Sequence, residues 1–168
     1  GNTPCFYNHF VTDREEPFDQ PGTPEEPKGH YIFDKPEPLW NFGHGKSYTT
    51  FDYVDCALSD TLLAASDTLK VSVMIKNTGR CDGKEVVQLY VRDKVSTVAT
   101  PIQQLKAFQK VLVKSGESQC VELSLPIAEL ALYNAKMEEV VEPGDFEIQI
   151  GAASDDIRFK KTITINRT

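Results

Sequence analysis

From residue 69 onward the chain repeats one pattern, in which apolar residues alternate singly with polar ones. Leu69, Val71, Val73 and Ile75 alternate with Lys70, Ser72 and Lys76, and Val87, Leu89 and Val91 with Gln88, Tyr90 and Arg92. Val121, Leu123 and Leu125 alternate with Glu122 and Ser124, and Phe146, Ile148 and Ile150 with Glu147 and Gln149. A period of two sends successive side chains to opposite faces of a strand, one face buried and one wet. Turn signals separate the runs. Asn77-Thr78-Gly79 ends the first, Pro143-Gly144 is a favoured type II pair, and Pro126 suits the first position of a short helical turn over Ile127 to Leu132. Ile157–Phe159 and Ile163–Ile165 supply the last strand. About seven short strands spaced this way predict an all-β chain, an antiparallel sandwich of immunoglobulin type.

The first part of the chain has a different character. Seven of the ten prolines lie at or before Pro38, with acidic pairs at Glu15-Glu16 and Glu25-Glu26 and no apolar period. Proline removes amide donors and holds the backbone extended, so residues 12–38 read as an arm. A loop of that length needs a surface to cross. Pro4 to Tyr7 reads as a short strand before it. The change falls in Pro38 to Phe51, PLWNFGHGKSYTTF, where Gly43 and Gly45 loosen the backbone and Leu39, Trp40, Phe42, Tyr48 and Phe51 require apolar cover. This stretch reads as a latch. The expected division is an arm over 1–47 and a sandwich over 48–168.

Composition excludes several functions. The net charge is −7 with no basic stripe, which disfavours nucleic acid and anionic membranes as partners. No apolar run approaches the roughly 18 residues of a membrane helix. Cys5, Cys56, Cys81 and Cys120 show no C-x-x-C spacing, so no metal site is expected. Four cysteines allow two disulfides in three connectivities, but free thiols fit better: Cys56 and Cys120 read as small strand hydrophobes and Cys81 as a turn residue. No cofactor motif is present. The glycines of FGHG lack the strand–loop–helix setting of a phosphate cradle.

Several motifs then carry a resemblance. PLWNFGHGKSYTTF resembles the FGYG-LSYTTF signature at the entry to the C-terminal fibronectin type III-like domain of family 3 glycoside hydrolases, the β-glucosidase and β-xylosidase group. His44 stands where that family has Tyr or His, and Lys46 where it mostly has Leu. VSVMIKNTGRCDGKEVVQLYVRD is similar to the family's V-VKNTG-xxx-GEVVQLYVxD, TPIQQLKAFQKVLVKSGES to P-xxLKGFxKVxLxxGES, and VVEPGDFEIQIGAASDDIR to VEPGxFEVxIGxSSxDIR. Ala107 replaces the usual Gly. TPCFYNH resembles the PVYYNH that closes the preceding α/β domain. The resemblance implies that the chain begins at the last strand of that domain. It also implies a parent enzyme that is periplasmic or secreted, with the upstream catalytic domains of the same polypeptide as partners.

Glycoside hydrolysis needs two positioned carboxyl groups, one with a raised pKa. The carboxylates here read as solvated turn or strand-end groups: Asp82 and Glu85 beside a Gly turn, Asp93, Glu117, Glu142 and Asp145 at strand ends, and Asp155-Asp156 in a hairpin loop. In the family the nucleophile and the acid/base belong to upstream domains, so no residue of this chain inherits either role. The expected function is a non-catalytic accessory domain that stabilises or orients the catalytic ones. Trp40, Phe42, Tyr48 and Phe51 would then be interdomain packing residues, and the isolated chain would self-associate weakly. The competing class is a carbohydrate-binding or adhesion-type sandwich module, since aromatic faces also stack on sugar rings. The arm discriminates between them, because a free module has no use for it.

Overall fold

The computed structural model describes residues 6–10 and 38–166. Residues 12–37 of the arm expected over 12–38, and the first residues of the strand expected at 4–7, lie outside them. Among the described residues, Phe6 to His9 form a turn, with the His9 amide donating to the Phe6 carbonyl at 3.3 Å.

Seven long strands form the sandwich: β1 Phe51–Leu58, β3 Thr68–Asn77, β4 Gly83–Asp93, β5 Gln104–Val113, β6 Ser118–Pro126, β9 Gly144–Ala153 and β10 Asp156–Ile165. Short pairs complete it, with β2 Leu62–Leu63 beside β10 and β7 Leu132–Tyr133 against β8 Glu139–Val140. One sheet runs β1-β3-β6 and the other β2-β10-β9-β4-β5. All the long pairings are antiparallel. The chain is an all-β sandwich, as the alternation predicts.

Register follows the apolar pattern. Val73 pairs with Val121 and Val71 with Leu123, so the inward residues of β3 and β6 meet the inward residues of the second sheet. There Leu89 opposes Ile150 and Val91 opposes Ile148. One buried cluster results, running from Cys56 to Ile165 with Phe51 and Tyr53 packed on its margin. Shifting a strand by one residue would turn its whole apolar set to water.

Four local expectations change. β5 was not signalled by alternation, because Phe108 and Leu112 on its outer face are exposed while Ala107 on the inner side is small. Cys120 faces outward from β6, whereas Cys56 is buried, and both thiols are free, as is exposed Cys81. The helical turn is a 3-10 segment, Ile127–Leu130. Gly144 has φ 156°, near-extended backbone that opens β9 rather than the type II geometry expected of Pro143-Gly144.

Asn77 closes the upper end of the core. Fully buried, it donates through Nδ2 to the carbonyls of Cys81 and Val113, each at 2.9 Å, and accepts at Oδ1 from Thr49 Oγ1 at 2.6 Å and the Gly79 amide at 3.0 Å. Both donors and both acceptor lone pairs of the amide are thus used. The turn in KNTG is thereby fixed to both sheets and to the latch.

Candidate functional site

The latch is best followed from β4 outward. Val87, Leu89 and Val91 point into the core, so Gln88 and Tyr90 belong to the outer face of the five-stranded sheet. They are nevertheless only 4% and 0% exposed. Their cover comes from the two described N-terminal segments. The Tyr7 ring stacks on Phe42 with centroids 4.0 Å apart and meets Tyr90 edge-on at 6.0 Å. Gln88 Nε2 donates to the carbonyls of Gly43, at 3.2 Å, and Ala152, and the Tyr90 hydroxyl donates to Gln88 Oε1. Burial raises the Tyr90 pKa, with lesser contributions from Tyr7 and Asp155, so its proton stays on the hydroxyl.

Backbone and polar contacts fasten the same segments. The Ser154 amide donates to the Phe42 carbonyl at 2.9 Å, Asn41 Nδ2 to Asp155 at 2.6 Å, and the Leu105 amide to the Tyr7 hydroxyl at 3.2 Å. Phe10 forms an antiparallel bridge with Pro101, and the Ile102 amide donates to the His9 carbonyl at 2.9 Å.

The four aromatic residues singled out in the sequence are not one cluster. Phe42 lies in the Tyr7 stack and Phe51 on the core margin. Trp40, 57% exposed, stacks on His44 at 4.7 Å with the Lys46 ammonium 5.0 Å from its ring centre. Tyr48 is fully exposed, its carbonyl accepting from the Cys81 thiol at 3.4 Å. Sequence reasoning missed Tyr7, Gln88 and Tyr90 as members of the latch. The only signal was that QLY interrupts the outer face of β4 with a large aromatic.

Glu85 corrects a second expectation. It is a half-buried residue of β4, not a solvated turn carboxylate, and burial raises its pKa. It accepts from the Tyr53 hydroxyl at 3.0 Å, and Arg158, paired with Asp156 at 2.6 Å, sits 5.8 Å from the Tyr53 ring centre. Asp93, at the other end of β4, is raised by burial too. Eight residues of strand at about 3.3 Å each separate the two by about 26 Å, far beyond the roughly 5–10 Å between the carboxyls of a glycosidase pair. Among the described residues no three His, Cys, Asp or Glu side chains are grouped to hold a metal ion. No helix among the described residues is long and apolar enough to cross a membrane.

This geometry defines a fibronectin type III-like domain with an N-terminal latch on the outer face of its larger sheet. Residues 85–154 match the family model described as "Fibronectin type III-like domain". The chain is similar to a segment of β-xylosidases and β-glucosidases, one of them a solved family 3 β-glucosidase. A β-xylosidase of Formosa agariphila is 44% identical over 133 residues, which is 78% of this chain and 18% of the relative. A periplasmic β-glucosidase of Salmonella typhimurium is 34% identical over 161 residues, 94% of this chain and 20% of the relative. The crystal structure of a β-glucosidase from Listeria innocua in complex with isofagomine superposes with a TM-score of 0.82 at 33% identity, covering 96% of this chain and 22% of that one. The chain thus spans about a fifth of the length of the relatives it matches.

Proposed function

We propose that this chain is the accessory sandwich of a family 3 glycoside hydrolase, whose catalytic carboxyls stand on other domains of the same polypeptide and hydrolyse terminal β-linked sugars. The observation that supports this best is the 44% identity to a β-xylosidase confined to 18% of that relative. The domain is non-catalytic in this reading, its two raised carboxyl groups being separated by the length of β4. Residues 1–47 are the last strand of the preceding domain plus the linker arm and 48–168 the sandwich, a division supported by a core whose members and margin run from Phe51 to Ile165.

In this reading Trp40, Phe42, Tyr48 and Phe51 serve packing between arm, sandwich and catalytic domains. Phe42 and Phe51 lie against the sandwich, while Trp40, Tyr48 and Leu39 present exposed apolar surface for a neighbour. The same surface gives the isolated chain a weak tendency to self-associate. The relative from Salmonella typhimurium is named periplasmic, which supports a periplasmic or secreted parent.

The test compares the isolated chain with the intact parent on aryl β-glucosides and β-xylosides. Turnover is expected from the parent only. Hydrolysis that co-purifies with the fragment would refute the accessory reading.

A further inference from the structure

A cavity of about 320 Å³ opens where β4 ends and β5 begins. Buried Val91 and Phe146 line its apolar part, the bridged pair Phe10 and Pro101 lies along one side, and Tyr133 of β7, 59% exposed, stands at its rim. Polar side chains also line it, among them Asp93, Thr100, Gln104 and Lys106.

The two charges are the informative pair. Asp93 Oδ1 accepts from the Val95 amide at 3.1 Å, and Lys106 Nζ donates to the Glu129 carbonyl at 2.8 Å. Both are half-buried, yet among the described residues neither is in an ion pair. Desolvation raises the pKa of the one and lowers that of the other. Each retains hydrogen-bonding capacity toward the cavity, since a carboxylate has about four acceptor sites and an ammonium three donors.

An anion entering here meets Asp93 and the field of a chain of net charge −7, and a cation meets Lys106. A neutral ligand whose groups both donate and accept avoids each conflict. Hydroxyls do so, donating to Asp93 while accepting from Lys106 and Gln104. The C–H face of a sugar ring would lie on the Tyr133 side. The volume is at the small end of the roughly 300–1,000 Å³ of small-molecule sites, which favours a single ring over a chain.

We propose that this cavity is a binding site for one neutral monosaccharide unit, held by Asp93, Gln104 and Lys106 with Tyr133 as its stacking face. It lies apart from Trp40 and Tyr48. The cavity is built by this chain alone, so the sugar site stands or falls separately from the accessory role. Because Phe10 lines it, occupancy would also tighten the first N-terminal segment against β5.

The experiment is amide chemical-shift mapping on the full 168-residue chain. Methyl β-D-glucopyranoside and xylose are the probes, with glycine as a zwitterionic comparison. Saturable shifts are expected at Thr100, Gln104, Ala131 and Tyr133, with a Kd on the order of millimolar, as one ring's atom count allows. Tyr133→Ala and Gln104→Ala, neither of which belongs to the buried cluster, should each weaken binding at least severalfold. Asp93→Ala should abolish it, though loss of the Val95 contact makes the other two variants the decisive ones. An absence of shifts at tenfold excess over that Kd, shifts centred on Trp40 or Tyr48, unchanged affinity in Tyr133→Ala, or equal binding of glycine would each overturn the site.

Discussion

Gly43 and Gln88, 45 residues apart, are built around one another. Gly43 has φ +81°, and a Cβ placed on it would sit 2.2 Å from Gln88 Oε1. Gln88 has nowhere to retreat, because its amide is held by the carbonyls of Gly43 and Ala152 and by the Tyr90 hydroxyl. Gly43→Ala should therefore cost the left-handed penalty of about 1–2 kcal/mol together with the loss of these contacts. Gly45, with nothing within 4 Å and no left-handed φ, is the control. Urea titration of both variants checks this: Gly45→Ala should match the parent chain, and equal loss in the two would contradict the geometry.

That pair also marks where the sequence ceased to be legible. Alternation placed Val87, Leu89 and Val91 inward and Gln88 and Tyr90 outward, which is correct. It could not show that the outer face at this point is covered, because the cover comes from Tyr7 and Phe42, distant in sequence and without any period. β5 escaped notice for the converse reason. Its outer face carries exposed Phe108 and Leu112, so LKAFQKVLV reads as apolar on both sides. The Tyr53–Glu85 contact was hidden too, since it joins strands of different sheets. Interiors are written locally, whereas surfaces that other segments cover are not.

Val73 and Ile148 test the core on each sheet. Both are fully buried, on β3 and β9. Ile148→Ala should cost about 2–4 kcal/mol and Val73→Ala about 1–3 kcal/mol, as cavities left in packed cores do. Phe108→Ala, at 66% exposure, should change stability by less than about 1 kcal/mol. Denaturant midpoints decide, and a larger loss at Phe108 than at Ile148 would reverse the assigned faces.

Asn77→Ala removes an amide that spans both sheets. It leaves the carbonyls of Cys81 and Val113, the latter in a buried contact, without their side-chain donor and strips the Gly79 amide and Thr49 hydroxyl of an acceptor. A loss of about 3 kcal/mol or more is expected, larger than the roughly 1 kcal/mol of one exposed hydrogen bond. Hydrogen exchange at Thr78, whose amide bonds the Thr50 carbonyl at 2.9 Å, should accelerate in parallel. Retained protection there would show that the turn holds without Asn77.

Glu85 predicts a pH dependence of definite sign. Burial raises its folded pKa, against lowering by the Tyr53 hydroxyl and Arg158. A raised folded pKa means that the unfolded chain releases this proton more readily, so the Glu85 contribution is intact below the ordinary carboxylate value and is lost as pH rises through the folded one. Glu85→Gln keeps a partner for Tyr53 and cannot ionise. Relative to the parent chain, the variant should therefore gain stability as pH rises from about 4 toward neutrality. Paired urea titrations across that range measure the difference, and a difference that runs the other way would show that Tyr53 and Arg158 outweigh burial.

Deleting residues 1–36 separates the sandwich from its cover. The shortened chain keeps every member of the buried cluster, all of which lie between Cys56 and Ile165, and keeps the Gly43 turn over Gln88. It loses Tyr7 and Phe10, and with them the stack on Phe42, the edge contact to Tyr90 and the bridge to Pro101. An aromatic pair contributes about 0.5–1.5 kcal/mol beyond its buried area, so the melt should remain cooperative and fall by several degrees. Tyr7→Ala in the full chain should reproduce most of that fall, because Tyr7 alone makes both aromatic contacts. Calorimetry of the two proteins is the measurement. A broad, non-cooperative transition in the truncated chain would mean that the N-terminal segment belongs to the core rather than lying over it. A truncated chain as stable as the full one would mean that the cover on Tyr90 contributes nothing.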